Sequence, residues 1–74
     1  MTRMPLVSGR EAVRAFERAG YAVDHQTGSH IILRQQTAPH RRLTIPNHAE
    51  LGKGMLRALV REAGLTMDEF RALL

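Results

Sequence analysis

The sequence predicts an α+β fold in which helices cover one face of a three-stranded antiparallel sheet. Three observations lead there. A capped amphipathic segment opens at Ser8, three short β-forming stretches follow between residues 21 and 46, and two helical patterns close the chain. The loops between the stretches are too short for crossover connections, so the strands form a meander. A sheet with an apolar face must cover it, and amphipathic helices are available to do so. The other face is left open to solvent or to a partner. At 74 residues the sequence reads as one domain, residues 1–74, with a small core.

The first helix is announced by Ser8-Gly9-Arg10-Glu11, a capping box in which the Ser8 hydroxyl and the Glu11 carboxylate each satisfy an orphan backbone donor. Ala12, Val13, Phe16 and Ala19 recur at helical spacing, while Arg10, Arg14, Glu17 and Arg18 lie off that stripe. Gly20 ends the helix, since glycine takes the left-handed C-cap conformation at little cost. Residues 21–26 form the first strand, Thr27-Gly28 a two-residue turn, and residues 30–34 the second strand. Ile31-Ile32-Leu33 carries no period of two, so its inward face is not assigned. Residues 36–39 make a loop. In the third strand, residues 41–45, Leu43 and Ile45 share one face and Arg42 and Thr44 the other, and Pro46 closes it. A connection from Asn47 to Gly54 leads to a helix with Met55, Leu56, Leu59, Val60 and Ala63 on its apolar side, stopped by Gly64. Thr66-Met67-Asp68-Glu69 repeats the capping box before a short helix with Met67, Phe70, Leu73 and Leu74 as its apolar side. Phe16 and Tyr21 are expected in the core.

Eleven Lys and Arg against seven Asp and Glu give a net charge of +4, and ten of the eleven cations are arginine, which suits bidentate phosphate contacts. A polyanion partner and an ordinary basic surface both fit that charge. With no cysteine, disulfides and thiolate zinc sites are excluded, and a reducing cytoplasm is compatible. No apolar run approaches the roughly 20 residues of a membrane span. The segment Met1-Thr2-Arg3-Met4-Pro5 does not read as a secretory signal.

Lys53, Arg57 and Arg61 fall at four-residue steps along one side of the second helix. Like charges at that spacing repel by about 0.2–0.5 kcal/mol per pair, a cost that a phosphate backbone along the helix would offset. Lys53 also stands at the helix start, where free donors favour an anion. The alternative is an ordinary solvated face. Arg41, Arg42 and His48 are further candidates for phosphate contact.

His30 follows Gly28 and Ser29: glycine permits close approach of a ligand backbone, serine offers a hydroxyl, and imidazole suits general base catalysis on a ribose 2′-hydroxyl. The alternative is a strand histidine held in a structural hydrogen bond. If Thr27-Gly28 is the turn, His25 faces His30 at about 5 Å between Cβ atoms and can serve as a second acid or base, titrating with it as a coupled pair. Four histidines, His25, His30, His40 and His48, match no common metal-ligand spacing, and neither a metal nor a cofactor is expected. No acidic residue is placed to make Ser29 a triad nucleophile. There is no phosphate-binding loop, and aromatic residues are too few for a base-stacking platform.

These residues also resemble a known family. The helix ending Ala19-Gly20-Tyr21, the strand opening Gly28-Ser29-His30, then Thr44-Ile45-Pro46-Asn47-His48, Lys53-Gly54-Met55-Leu56-Arg57 and Glu62-Ala63-Gly64-Leu65-Thr66 through Glu69-Phe70 are similar in order and spacing to the HicA toxins. The likeness runs from about Ser8 to Leu74. It implies a double-stranded-RNA-binding-domain-like fold, metal-independent endoribonuclease activity on mRNA, and neutralisation by a HicB-type antitoxin. The family's catalytic histidine carries over to His30. His25 is not part of that pattern, and the loop before His40 lacks the Asp-Gly often found there. The rival readings are a non-catalytic RNA-binding module of the same fold and a basic protein-interaction domain.

Overall fold

The computed structural model describes residues 5–74; the N-terminal residues read as no secretory signal lie outside it, Pro5 excepted. Its elements are α1 (Gly9–Arg18), β1 (Tyr21–Thr27), β2 (His30–Gln35), β3 (Arg42–Pro46), α2 (Lys53–Glu62) and α3 (Met67–Ala72). The sheet is antiparallel in the order β1-β2-β3. This is the predicted α+β arrangement, helices on one face and the other face open.

Both predicted capping boxes form. The Ser8 hydroxyl accepts from the Glu11 N–H at 3.1 Å while the Glu11 carboxylate accepts from the Ser8 N–H at 2.9 Å. Thr66 and Glu69 repeat the pair at 3.1 and 2.8 Å. Gly20 and Gly64 follow the first two helices with φ of 101° and 80°. Two arginines cap helix ends: Arg18 donates to the Leu73 carbonyl at 2.6 Å and Arg41 to the Glu62 carbonyl at 3.5 Å. Each places a cation at the negative end of a helix dipole.

Ile31, Leu33, Leu43 and Ile45 face the helices and join Ala12, Phe16, Tyr21, Leu56, Leu59, Val60 and Phe70 in one buried cluster. Phe16 sits at its centre, with its ring 5.1 Å from that of Phe70 and 6.1 Å from that of Tyr21. Ile32 points the other way. It is buried but lies outside the helix-side cluster, flanked across the strands by His25 and Thr44. That outward Ile32 explains why the apolar triplet shows no alternation. Met55 and Leu74, placed on apolar stripes by periodicity, are about half exposed.

The first hairpin differs from the expectation in a way that matters. Its loop is Gly28-Ser29, not Thr27-Gly28, and Thr27 pairs with His30. Gly28 has φ 54° at the first loop position, the sign that a two-residue hairpin with glycine first demands. Centring the turn one residue earlier would put β-branched Thr27 at that position, where positive φ is strongly disfavoured. Moving the turn by one shifts the pairing by two, so His25 stands opposite Ile32 and not opposite His30. The third strand also begins one residue late, at Arg42, leaving Arg41 before the strand with its carbonyl accepting from the Gln35 N–H at 2.8 Å.

Candidate functional site

The open face of the sheet can be read rung by rung. At the hairpin mouth Thr27, His30 and Pro46 lie side by side; His25, Ile32 and Thr44 form the next rung, and Ala22, Arg34 and Arg42 the third. Paired residues share a face and alternate ones return to it. Two histidines and two arginines therefore converge on one surface. Asp24 is the sole acidic residue of the three strands.

His30 is exposed, and among the described residues its imidazole makes no hydrogen bond. Its backbone, by contrast, is held on both sides by β1 and β3. Beyond it, the Ser29 carbonyl accepts from the Asn47 N–H at 2.6 Å, which extends the ladder past the strand end. The His48 carbonyl accepts from the Gly9 N–H at 2.9 Å. A Cβ at Gly9 would overlap the Pro46 carbonyl oxygen, so only glycine lets α1 come down on this segment. The Gly-Ser-His turn, the Pro-Asn-His segment and the start of α1 are thus brought together. The His48 ring is exposed beside this junction.

Arg34 and Arg42 face each other across β2 and β3. Like charges directly opposite destabilise a sheet. Among the described residues neither has a carboxylate partner; Arg34 reaches only the His40 carbonyl, at 3.4 Å. Sequence reasoning named Arg42 and missed Arg34, although the two-residue period of β2 already places Arg34 on the face of His30; the register adds that it stands opposite Arg42. Arg41 goes elsewhere: its guanidinium lies over the end of α2 by the Glu62 carbonyl and Gly64, and its N–H donates to the Gln35 side chain at 3.2 Å. Lys53 and Arg57 are exposed on α2, which packs on the covered face of the sheet, so they are carried by the layer behind His30. Gly52 caps that helix without a side-chain hydrogen bond.

His25 is engaged differently from His30. Its Nδ1 lies 2.7 Å from the Asp24 carboxylate, and both side chains are about half exposed. His40, in the loop before β3, has φ 58°, a left-handed conformation that glycine would adopt more readily, and its Nδ1 meets the Gln35 carbonyl at 3.1 Å. No three His, Cys, Asp or Glu side chains among the described residues converge as a metal-binding group. Two shallow grooves flank α1, one lined by Glu11, Arg14, Arg18 and Leu74, the other by Arg10, Val13, Arg14, Glu17, Val23, Gln26 and Ile31; neither contains a histidine. His25 and His30 lie on the sheet face, outside these grooves.

Two shifted groups lie outside this face. The Ser8 backbone and side-chain hydrogen bonds hold the Glu11 carboxyl below the usual carboxylate range. Burial pushes the Tyr21 phenol up, and its hydroxyl is enclosed without a hydrogen-bond partner among the described residues.

The fold and this surface define a small α+β domain with an exposed histidine and an arginine pair on the open face of its sheet. The sequence match is more specific. Residues 9–65 match the family described as HicA toxin of bacterial toxin-antitoxin, and since that span covers most of the chain, this protein belongs to the HicA toxin family. It is thus the toxin of a toxin–antitoxin pair, and an antitoxin is its partner. No curated protein matches the chain. No helix of the described residues is long and apolar enough to cross a membrane.

Proposed function

We propose that this toxin is a cytoplasmic endoribonuclease that cleaves mRNA without a metal or cofactor, with His30 as its acid–base group, and that a HicB-type antitoxin neutralises it. The observation that carries the reading is the exposed imidazole of His30, free of any described hydrogen bond and fixed by a backbone paired on both sides. A free ring on a rigid element is positioned to take a proton from a ribose 2′-hydroxyl. The 2′-oxygen then attacks the neighbouring phosphorus. Gly28 leaves the loop bare of side-chain bulk beside His30, and Ser29 offers a hydroxyl there. Arg34 and Arg42 supply fixed positive charge two rungs away for the phosphates of the same strand. Lys53 and Arg57 extend the cationic surface away from the sheet face, and the exposed His48 ring offers a nitrogen for a phosphate contact. Arg41, occupied at the end of α2, is the weakest of the candidate phosphate ligands.

Induction of the chain in a bacterial host, with and without its genomic neighbour, tests the reading. Growth should stop without the neighbour and resume with it, and His30→Ala should abolish toxicity while the protein still accumulates folded. Toxicity that survives His30→Ala would remove His30 from the chemistry. Loss of toxicity together with all RNA binding would support the non-catalytic RNA-binding alternative.

A further inference from the structure

We infer that His25, held by Asp24, is the second acid–base residue of this site, the group that protonates the leaving 5′-oxygen. The inference rests on the ribonuclease reading above and adds a catalytic residue to it. Three observations carry it.

The first is a β-bulge. Val23 pairs with Leu33 and His25 with Ile32, so Asp24 is an extra residue in β1 with no partner of its own in β2. Continuing the pairing of Val23 without the bulge would put His25 opposite Ile31, on the face covered by α1. The bulge instead turns His25 onto the open face with His30. Bulges commonly re-aim a side chain next to an active site.

The second is the Asp24–His25 contact at 2.7 Å. A carboxylate accepting from Nδ1–H keeps a proton on that nitrogen, leaves Nε2 to exchange with substrate, and provides a partner for the ring's positive charge. His30 has no such partner. The two histidines are therefore chemically unlike: a free ring suited to the base, and a carboxylate-backed ring suited to the acid. Asp24 is a positioning residue.

The third is separation. His25 pairs with Ile32, two residues along β2 from His30. Such diagonal neighbours lie about 7–8 Å apart, against about 5 Å for a directly facing pair. A phosphate attacked in line must fit between two hydrogen bonds of about 3 Å each, one to the entering and one to the leaving oxygen. The diagonal is the wider of the two arrangements and gives the two rings more room to flank a phosphate.

The step balances as follows. The 2′-hydroxyl proton passes to His30, the 2′-oxygen bonds to phosphorus, the bond from phosphorus to the 5′-oxygen breaks, and the Nε2 proton of His25 passes to that oxygen. The products are a 2′,3′-cyclic phosphate and a 5′-hydroxyl end. Solvent then returns His30 to neutral and His25 to its charged form. Besides Asp24, the charged or titratable groups around His25 are His30 and Arg34 on β2, either side of Ile32, and Arg42 beyond them on β3.

The experiment is single-turnover cleavage by the full chain of an RNA oligonucleotide and of the same oligonucleotide with sulfur replacing the 5′-oxygen of the cleaved linkage. A thiolate leaves without being protonated. On ordinary RNA, His25→Ala and His25→Gln should be slowed about 10²–10⁴-fold and Asp24→Asn about tenfold. On the sulfur substrate all three should cleave at close to the parent rate, while His30→Ala stays slow. A His25→Ala rate equal to the parent's on ordinary RNA overturns the inference, as does an equal loss on both substrates, which indicates binding or folding. A parent that cuts neither substrate overturns the ribonuclease reading and this inference together.

Discussion

Gly9→Ala should be far more damaging than a single added methyl suggests. The new Cβ would meet the Pro46 carbonyl oxygen inside van der Waals contact, with the Asn47 Cα at 3.0 Å and the Pro46 carbonyl carbon at 3.1 Å. All three are backbone atoms, so no side-chain rotation relieves the overlap, and either α1 or the segment after β3 must move. Overpacking of this kind costs about 1–3 kcal/mol. Displacing α1 also weakens the Gly9 N–H to His48 carbonyl hydrogen bond, worth about 1 kcal/mol. Alanine's better helix propensity returns at most about 1 kcal/mol. A net loss of about 1–3 kcal/mol is a large share of the roughly 4–11 kcal/mol expected for a chain of this size. In thermal unfolding it should lower Tm by roughly 5–20 °C. Gly54→Ala is the control, because a Cβ there meets nothing within 4 Å inside α2; it should raise stability by about 0.5–1 kcal/mol. Both are best measured in a His30→Ala background, so that toxicity does not limit production. Equal and small effects at the two glycines would refute the close approach that brings the Pro46–His48 segment against α1.

Other consequences are equally direct. Phe16→Ala, which removes the ring packed on both Tyr21 and Phe70, should cost about 3–5 kcal/mol and leave the protein largely unfolded near 37 °C by circular dichroism. Tyr21→Phe removes an enclosed hydroxyl that has no partner among the described residues and should raise the urea midpoint, by up to about 1–2 kcal/mol of stability. The Glu11 carboxyl is lowered by its bonds to Ser8, so its contribution is complete above its unfolded pKa of about 4.3 and is lost as pH falls through the lower folded value. The stability difference between parent and Glu11→Gln should thus be constant near neutrality and shrink only in acid. Arg34→Ala and Arg42→Ala should each reduce the slope of log affinity for RNA against log salt by about 0.7, because each removes one phosphate contact; an unchanged slope in both would take the phosphates off this face.

The parts of this molecule legible in its sequence are those set by local chemistry. Both capping boxes, the glycines that stop α1 and α2, and the apolar stripes of the helices depend on residues within one or two turns, and they appear where spacing put them. The sheet's register was not legible to the same degree. It hangs on which residue of Thr27-Gly28-Ser29 takes positive φ, and on a bulge at Asp24 that has no marker in composition or periodicity. Those two features decide what His25 faces. That Arg34 and not Arg41 stands opposite Arg42 is set separately, by the register of β2 against β3, which an isolated strand does not fix. His30 was legible because it opens its strand immediately after the turn glycine and serine.

The central claim is that His30 performs chemistry and does not merely bind, and purified protein with a defined mRNA fragment tests it most directly. Parent and His30→Ala should bind the fragment with affinities within a few-fold of each other and give the same circular dichroism spectrum, while only the parent cuts it, in the presence of a metal chelator. Cleavage by His30→Ala at the parent's rate, or parent cleavage that stops on chelation, would contradict the account.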